Sequence, residues 1–272
     1  MPRDKHFDQK TGEPKRDRWG RYLLPHPETG VEQPWTRVTT VSGILSDRYN
    51  LELWAQRMVA LGLASRPDLL ALVKTHRTNK RTLNKVVKDA LEAGNTEQRA
   101  NIGTAIHAAT EAVDRGEPHD LGPPYDRDVE VYGSVMDELG LDVVPGWIER
   151  IVLNVELGVA GTLDRLVKAS GWKLPRIADV KTGKTVHFSE LDHAIQQSMY
   201  ANASHYWDAE KGELVKVPRI DKKSALIVHL PAGEARCEVH DLDIATGYAA
   251  AKLAVEVKSW RGRKGLSQPY EN

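Results

Sequence analysis

The 272-residue chain holds a single cysteine, Cys237. It can close no disulfide within itself and offers no Cys-only zinc or iron–sulfur site, and a reducing compartment is the expected home. Net charge is also lacking, since 38 Lys and Arg balance 38 Asp and Glu. A balanced chain has no global field to draw it to a polyanion, so any nucleic-acid partner must be met by local clusters. No apolar run approaches the ~20 residues that span a bilayer. The start, Met1-Pro2-Arg3-Asp4-Lys5-His6, is not followed by the apolar stretch of a signal peptide. Internal repeats and long low-complexity segments are missing too. These absences lead to the expectation of a soluble, cytoplasmic protein without a membrane partner.

With 40% hydrophobic and 28% charged residues the chain can bury a real core, and its length fits one large domain or a core with an appendage. Residues 1–95 read as a polar start, a loose hairpin whose arms are 22–24 and 38–41, and a helical accessory region from 42 to 93. The spacing then predicts helices over 96–114 and 125–139, and strands over 148–155, 159–167 and 174–181. A helix over 190–206 follows, then strands over 224–230 and 236–242 and a last helix over 244–260. The expected order is helix, three strands, helix, two strands, helix. Residues 261–272 read as a tail.

Three polar residues stand out in this frame. Asp179 and Lys181 lie at i and i+2 of one strand and share a face. Asp164 precedes Asp179 by 15 residues, the length of two adjacent antiparallel strands with a tight connection. Two carboxylates and an ammonium at one sheet edge suit a hard divalent cation beside a water that attacks phosphorus. Taken alone, the same residues are an exposed hairpin ion pair worth ~0–1 kcal/mol. His107 shares a helix face with Gly103, which lets that helix approach the sheet, and Glu111 lies one turn on. Gln196 and Tyr200 form another i, i+4 pair on the helix after the Asp-x-Lys strand. Each of these is unremarkable by itself.

In order, Gly-x-x-x-His at 103–107, Gly-x-x-Asp at 161–164, Asp-x-Lys at 179–181 and Gln-x-x-x-Tyr at 196–200 resemble the RecB-type exonuclease branch of the PD-(D/E)XK nucleases. Glu149 is similar to the accessory acid found on the first core strand there. The runs Val159-Ala160-Gly161-Thr162-Leu163-Asp164 and Ala178-Asp179-Val180-Lys181-Thr182-Gly183 read like phage-encoded members. The likeness covers about residues 96–260. It implies an α/β fold with a restriction-endonuclease-like core, α-β-β-β-α-β, in which helices flank a central mixed sheet and an N-terminal α-helical extension is added. With only Cys237, the chain departs from the relatives that carry an iron–sulfur cluster, and none is expected.

The resemblance further implies a metal-dependent DNA nuclease, most simply an exonuclease acting from ends in phage recombination or replication, alongside proteins of those processes. A structure-specific endonuclease of the same fold and a non-catalytic nucleic-acid-binding protein are the alternatives. His107, Asp164, Asp179 and the Val180 carbonyl would hold Mg²⁺ or Mn²⁺. Lys181, with its pKa lowered by the cation, would stabilise the transition state, and Gln196 and Tyr200 would position the DNA backbone or brace Lys181. Residues Lys74, Arg77, Lys80, Arg81, Lys85 and Lys88 form an acid-free basic stretch that reads either as a phosphate-binding helix or as a solvated face. Lys258, Arg261, Arg263 and Lys264 invite the same two readings. Trp19, Trp35 and Trp54 are either stacking platforms or part of the accessory core. His187 and His193 fall near the expected site.

Overall fold

The computed structural model describes residues 12–94 and 96–270, the side chains of 96–100 excepted. The expected N-terminal region therefore begins outside the described residues, as the last two residues of the tail end there. The chain is a mixed α/β protein whose central, mostly antiparallel sheet is flanked by helices. Its strands run in the order β10 (Glu238–Asp243), β9 (Ser224–His229), β6 (Arg176–Lys181), β5 (Val159–Lys168), β4 (Asp142–Asn154), β7 (His205–Asp208), β8 (Glu213–Lys216). Among the described residues, only β6 with β9, and a short β3 (Thr36–Arg37) with β5, pair in parallel.

Alternation along the strands sets the two faces. Leu166 and Ile177 point to one side, where they meet Ile195 and Met199 of α7 (Glu190–Ala201) and Ile244, Ala251 and Ala254 of α8 (Ile244–Arg261). Val167, Ala178, Val180, Leu226 and Val228 point to the other. There they meet Ile106 of α5 (Thr96–Asp114) and Tyr132 and Met136 of α6 (Asp126–Glu138). Strands buried on both faces are near-continuously apolar, so each polar side chain among them needs a reason.

Two expectations fail. The helix expected over 190–206 stops at Ala201, and His205–Asp208 instead forms a hairpin with Glu213–Lys216 that extends the sheet beside β4. Asn202 caps the helix end through its side-chain amide, which donates to Ser198 O at 2.9 Å. The run His205-Tyr206-Trp207 then follows β-propensity, and Trp207 is buried. The N-terminal hairpin is also paired differently. Its arms are β1 (Leu23–Pro25) and β2 (Glu32–Pro34), while Val38–Ser42 is a short helix, α1. Val38 and Val41, at i and i+3, bury against the α7 side of the sheet, and that burial overrides their preference for strand.

Three helices precede the core: α2 (Tyr49–Ser65), α3 (Pro67–Thr75) and α4 (Lys80–Ala93). They close on a small cluster of Leu69, Val86 and Ala90. Gly62 is what lets α2 cross α4, since a Cβ there would lie 1.8 Å from Ala90 O. Among the described residues, no helix is long and apolar enough to cross a membrane.

Candidate active site

Antiparallel pairing of β5 with β6 sets Arg165 opposite Ala178. One residue further, the same register sets Asp164 opposite Asp179. On its other side β5 pairs with β4, with Ile148 opposite Arg165 and Arg150 opposite Leu163, so Glu149 lies across from Asp164. Three acids thus form a row across three adjacent strands. Directly opposed residues have Cβ atoms about 4.5–5.5 Å apart, and like charges at that distance repel. Glu149 is held in this row with φ at 52°, a left-handed backbone that a non-glycine residue adopts at a cost of about 1–2 kcal/mol.

The consequences are electrostatic. Burial, then Asp179, pushes the Asp164 carboxyl up to about 6, against the pull of His107 and Lys181. Crowding of its carboxyl by protein atoms, then Asp164 and Glu111, pushes Glu149 up to about 8. Glu149 is nonetheless an exposed residue at the rim of the site, so solvent screens its interactions. Lys181 Nζ lies 2.5 Å from Asp179 Oδ2. Burial works against its charge, but Asp179 and Asp164 outweigh it and its pKa is raised. The lowering expected of Lys181 needs a cation on those aspartates.

His107 Nδ1 stands 3.7 Å from Asp164 Oδ2. The helix reaches this close because of Gly103, where a Cβ would come within 2.9 Å of Thr182 Oγ1. Asp164 Oδ2 accepts a hydrogen bond from Val180 N at 2.9 Å, tying the two strands together at the site. A cavity of about 470 Å³ opens here, lined by Gly103, Thr104, His107, Glu111, Glu149 and Thr182. Glu111 pairs with Arg115 at 3.0 Å. Gln196 donates to Tyr200 OH at 3.4 Å, and Tyr200 is 2% exposed. It packs over Gly161, where a Cβ would meet its Cε1 at 2.9 Å and Val38 Cβ at 3.0 Å. Tyr200 therefore braces the strand that carries Asp164.

The donor chemistry suits a hard divalent cation. Asp179 is 1% exposed, and among the described residues the Lys181 ammonium is the one polar group that answers its carboxylate. The geometry is looser than the chemistry. Among the described residues, the one trio of His, Cys, Asp or Glu with donor atoms within 4.8 Å of one another is His229, Glu238 and His240. His107, Asp164 and Asp179 do not close into so tight a set, because Asp179 faces Lys181.

His193, placed near the site by the sequence, sits close enough to Lys181 that burial, then the ammonium, lowers its pKa. Three features escaped the sequence reading. Arg165, next to Asp164, is wholly buried and reaches Asp114 Oδ2 at 2.5 Å, Tyr132 OH, and Thr110 Oγ1 at 3.3 Å. Tyr22 OH meets Thr162 Oγ1 at 2.6 Å, so the first hairpin abuts the site. The third is the His229 cluster. None had a local signature, because each partner is distant in sequence.

The peripheral candidates divide. Lys85 pairs with Asp89 at 2.8 Å and Lys88 with Glu92 at 3.6 Å. Lys74, Arg77, Lys80 and Arg81 remain exposed at the corner of α3 and α4, without a carboxylate partner among the described residues. Trp35 is buried and donates to Leu24 O at 3.0 Å. Trp19 is 59% exposed, with the Arg18 guanidinium 3.9 Å from its ring centroid. Compared with known protein families and with curated proteins, the chain matches none.

Proposed function

We propose that this chain is a divalent-metal-dependent deoxyribonuclease of the RecB-type PD-(D/E)XK kind, built on a restriction-endonuclease-like core. It degrades DNA from ends in phage recombination or replication, in the host cytoplasm. One observation carries the reading: Glu149, Asp164 and Asp179 aligned across β4, β5 and β6, with Lys181 on Asp179 and His107 beside Asp164. A purely structural sheet has no use for three facing acids, and their repulsion is what a bound cation relieves.

Mg²⁺ or Mn²⁺, held by Asp164, Asp179, His107 and the Val180 carbonyl, would supply an acidified water and a polarised phosphate. With those carboxylates committed to the ion, the Lys181 ammonium would be left to face the attacked phosphate. Neutral His193 lies on the Lys181 side and competes for no anion. Tyr200 and Gln196 fix β5 and line the path of the DNA backbone. Lys74, Arg77, Lys80 and Arg81 give a second, salt-sensitive hold on phosphates.

The test is a time course on end-labelled linear and on circular single-stranded DNA, with Mg²⁺, Mn²⁺ or chelator. Wild type should digest the linear substrate and spare the circle, and chelator should stop it. Lys181→Ala should bind DNA almost normally and cut neither substrate. A cut circle makes the protein an endonuclease. No cleavage under any metal, with DNA still bound, makes it a non-catalytic binder.

A further inference from the structure

One strand beyond Lys181, on the same face of the sheet, the chain carries a second cluster. His229 on β9 is the parallel partner of Lys181 and the antiparallel partner of Glu238 on β10. His240 follows Glu238 at i+2 and shares its side of the strand. Their donor atoms fall within 4.8 Å of one another. His240 Nε2 lies 3.5 Å from Glu238 Oε2, and His229 Nδ1 lies 4.0 Å from the same oxygen. Tetrahedral donors around zinc sit about 3.3 Å apart, so these two distances need close by about 0.2 and 0.7 Å, within reach of small side-chain rotations.

Two further observations point to a ligand. His229 is 4% exposed, and its Nε2 lies 2.9 Å from the carbonyl oxygen of Gly183. A carbonyl can only accept, so Nε2 carries a proton, and in the neutral ring Nδ1 turns its lone pair toward Glu238. Metal-ligating histidines are held in this way, with the far ring nitrogen donating to a backbone carbonyl. In addition, His240 Nε2 is sealed from solvent without a hydrogen-bond partner among the described residues. Glu238 is already divided between the two tasks. Its Oε1 accepts from Arg236 at 2.8 Å, which leaves Oε2 to the imidazoles. Cys237, on the opposite side of β10, packs into the core near α6 and adds no thiolate.

We propose that His229 Nδ1, Glu238 Oε2 and His240 Nε2 bind one borderline divalent transition-metal ion of the zinc class. Two imidazoles and one carboxylate suit that class better than Mg²⁺, which takes oxygen donors. The site leaves a fourth position toward solvent, near the exposed ring of His187, whose centroid is 6.3 Å from that of His240. Through Gly183 O the ion would steady the segment that follows Asp179 and Lys181. The proposal stands whether or not the protein cuts DNA.

The experiment is equilibrium dialysis of the full, chelator-stripped chain against Zn²⁺ in excess Mg²⁺, with wild type, His240→Ala, Glu238→Gln and Asp164→Asn. Co²⁺ is used in parallel for its visible d–d absorption. Wild type should take up one Zn²⁺ per chain. His240→Ala should weaken binding by about 100-fold or more, since loss of a ligand costs at least as much as loss of its outer-shell partner. Glu238→Gln should weaken it in the same direction, and Asp164→Asn should leave it intact. His240 and Glu238 are not core residues, so circular dichroism of both variants should match wild type. Failure of wild type to bind stoichiometrically, or wild-type affinity in His240→Ala, overturns the proposal and shows an ion-paired His–Glu cluster instead.

Discussion

Replacing Asp114 with alanine strands a charge in the core. The Arg165 side chain has no solvent exposure and that of Asp114 has 5%, with the ion pair closed at 2.5 Å. Tyr132 OH donates to Asp114 Oδ1 at 2.7 Å, and Thr110 accepts from Arg165 at 3.3 Å. Among the described residues Arg165 Nε already lacks a hydrogen-bond partner. Without Asp114, a guanidinium with no access to water keeps two neutral hydroxyls as hydrogen-bond partners and only the more distant charge of Asp164. Breaking a buried pair on one side costs about 3–5 kcal/mol, a large share of the ~5–15 kcal/mol that holds a domain together. Asp114→Asn keeps an acceptor and should cost about half as much. Removing both charges, Asp114→Leu with Arg165→Met, should recover most of the loss, because the pair repays little more than its own desolvation. Urea denaturation of the four proteins reads this directly. A loss under about 1 kcal/mol for Asp114→Ala, or a double variant no more stable than Asp114→Ala, would show that the guanidinium is not sealed as described.

Glu149→Gln should flatten the pH dependence of metal-free stability. The folded protein keeps this proton up to about pH 8 while an ordinary Glu loses it near 4.5, so wild-type stability falls as pH rises through that window. With the shift discounted for the exposure of Glu149, the variant should match wild type near the bottom of the window and exceed it by about 1 kcal/mol above it. Parallel urea profiles refute this. Gly161→Ala should cost about 1–3 kcal/mol by driving a methyl into Tyr200 and Val38, and should displace the Tyr200 fluorescence or NMR signal; an unshifted signal contradicts the bracing role. Charge reversal of Lys74, Arg77 and Lys80 should reduce the slope of log DNA affinity against log salt by about two to three. An unchanged slope assigns that corner to solvent.

Much of the sheet was legible because β5, β6 and β9 are apolar runs bounded by turn residues, and buried strands read that way in any context. The spacing of Asp164 and Asp179 likewise carried their adjacency, since a tight antiparallel connection leaves few alternatives. The hairpin of β7 and β8 was hidden by α7, whose pattern continues into Ser204-His205-Tyr206 until tertiary pairing with β4 claims it. Val38-Thr39-Thr40-Val41 was lost for the converse reason, β-branched residues made helical by burial. At the site, i, i+2 and i, i+4 spacing could place Lys181 near Asp179 and His107 over Gly103. It could not reveal that Glu149 faces Asp164, which depends on the register beyond an irregularity in β4. Arg165, Asp114 and Tyr132 meet only in the fold, as do His229 and Glu238.

The central claim is that Asp164 and Asp179 jointly hold a divalent cation beside Lys181. Crystals of the chain grown with Mn²⁺, and measured at the manganese absorption edge, locate that cation directly. The account predicts an anomalous peak within bonding distance of both aspartates and His107, absent in Asp179→Asn, with Lys181 turned away from Asp179. A map with no peak there, while Lys181 still rests on Asp179, contradicts it.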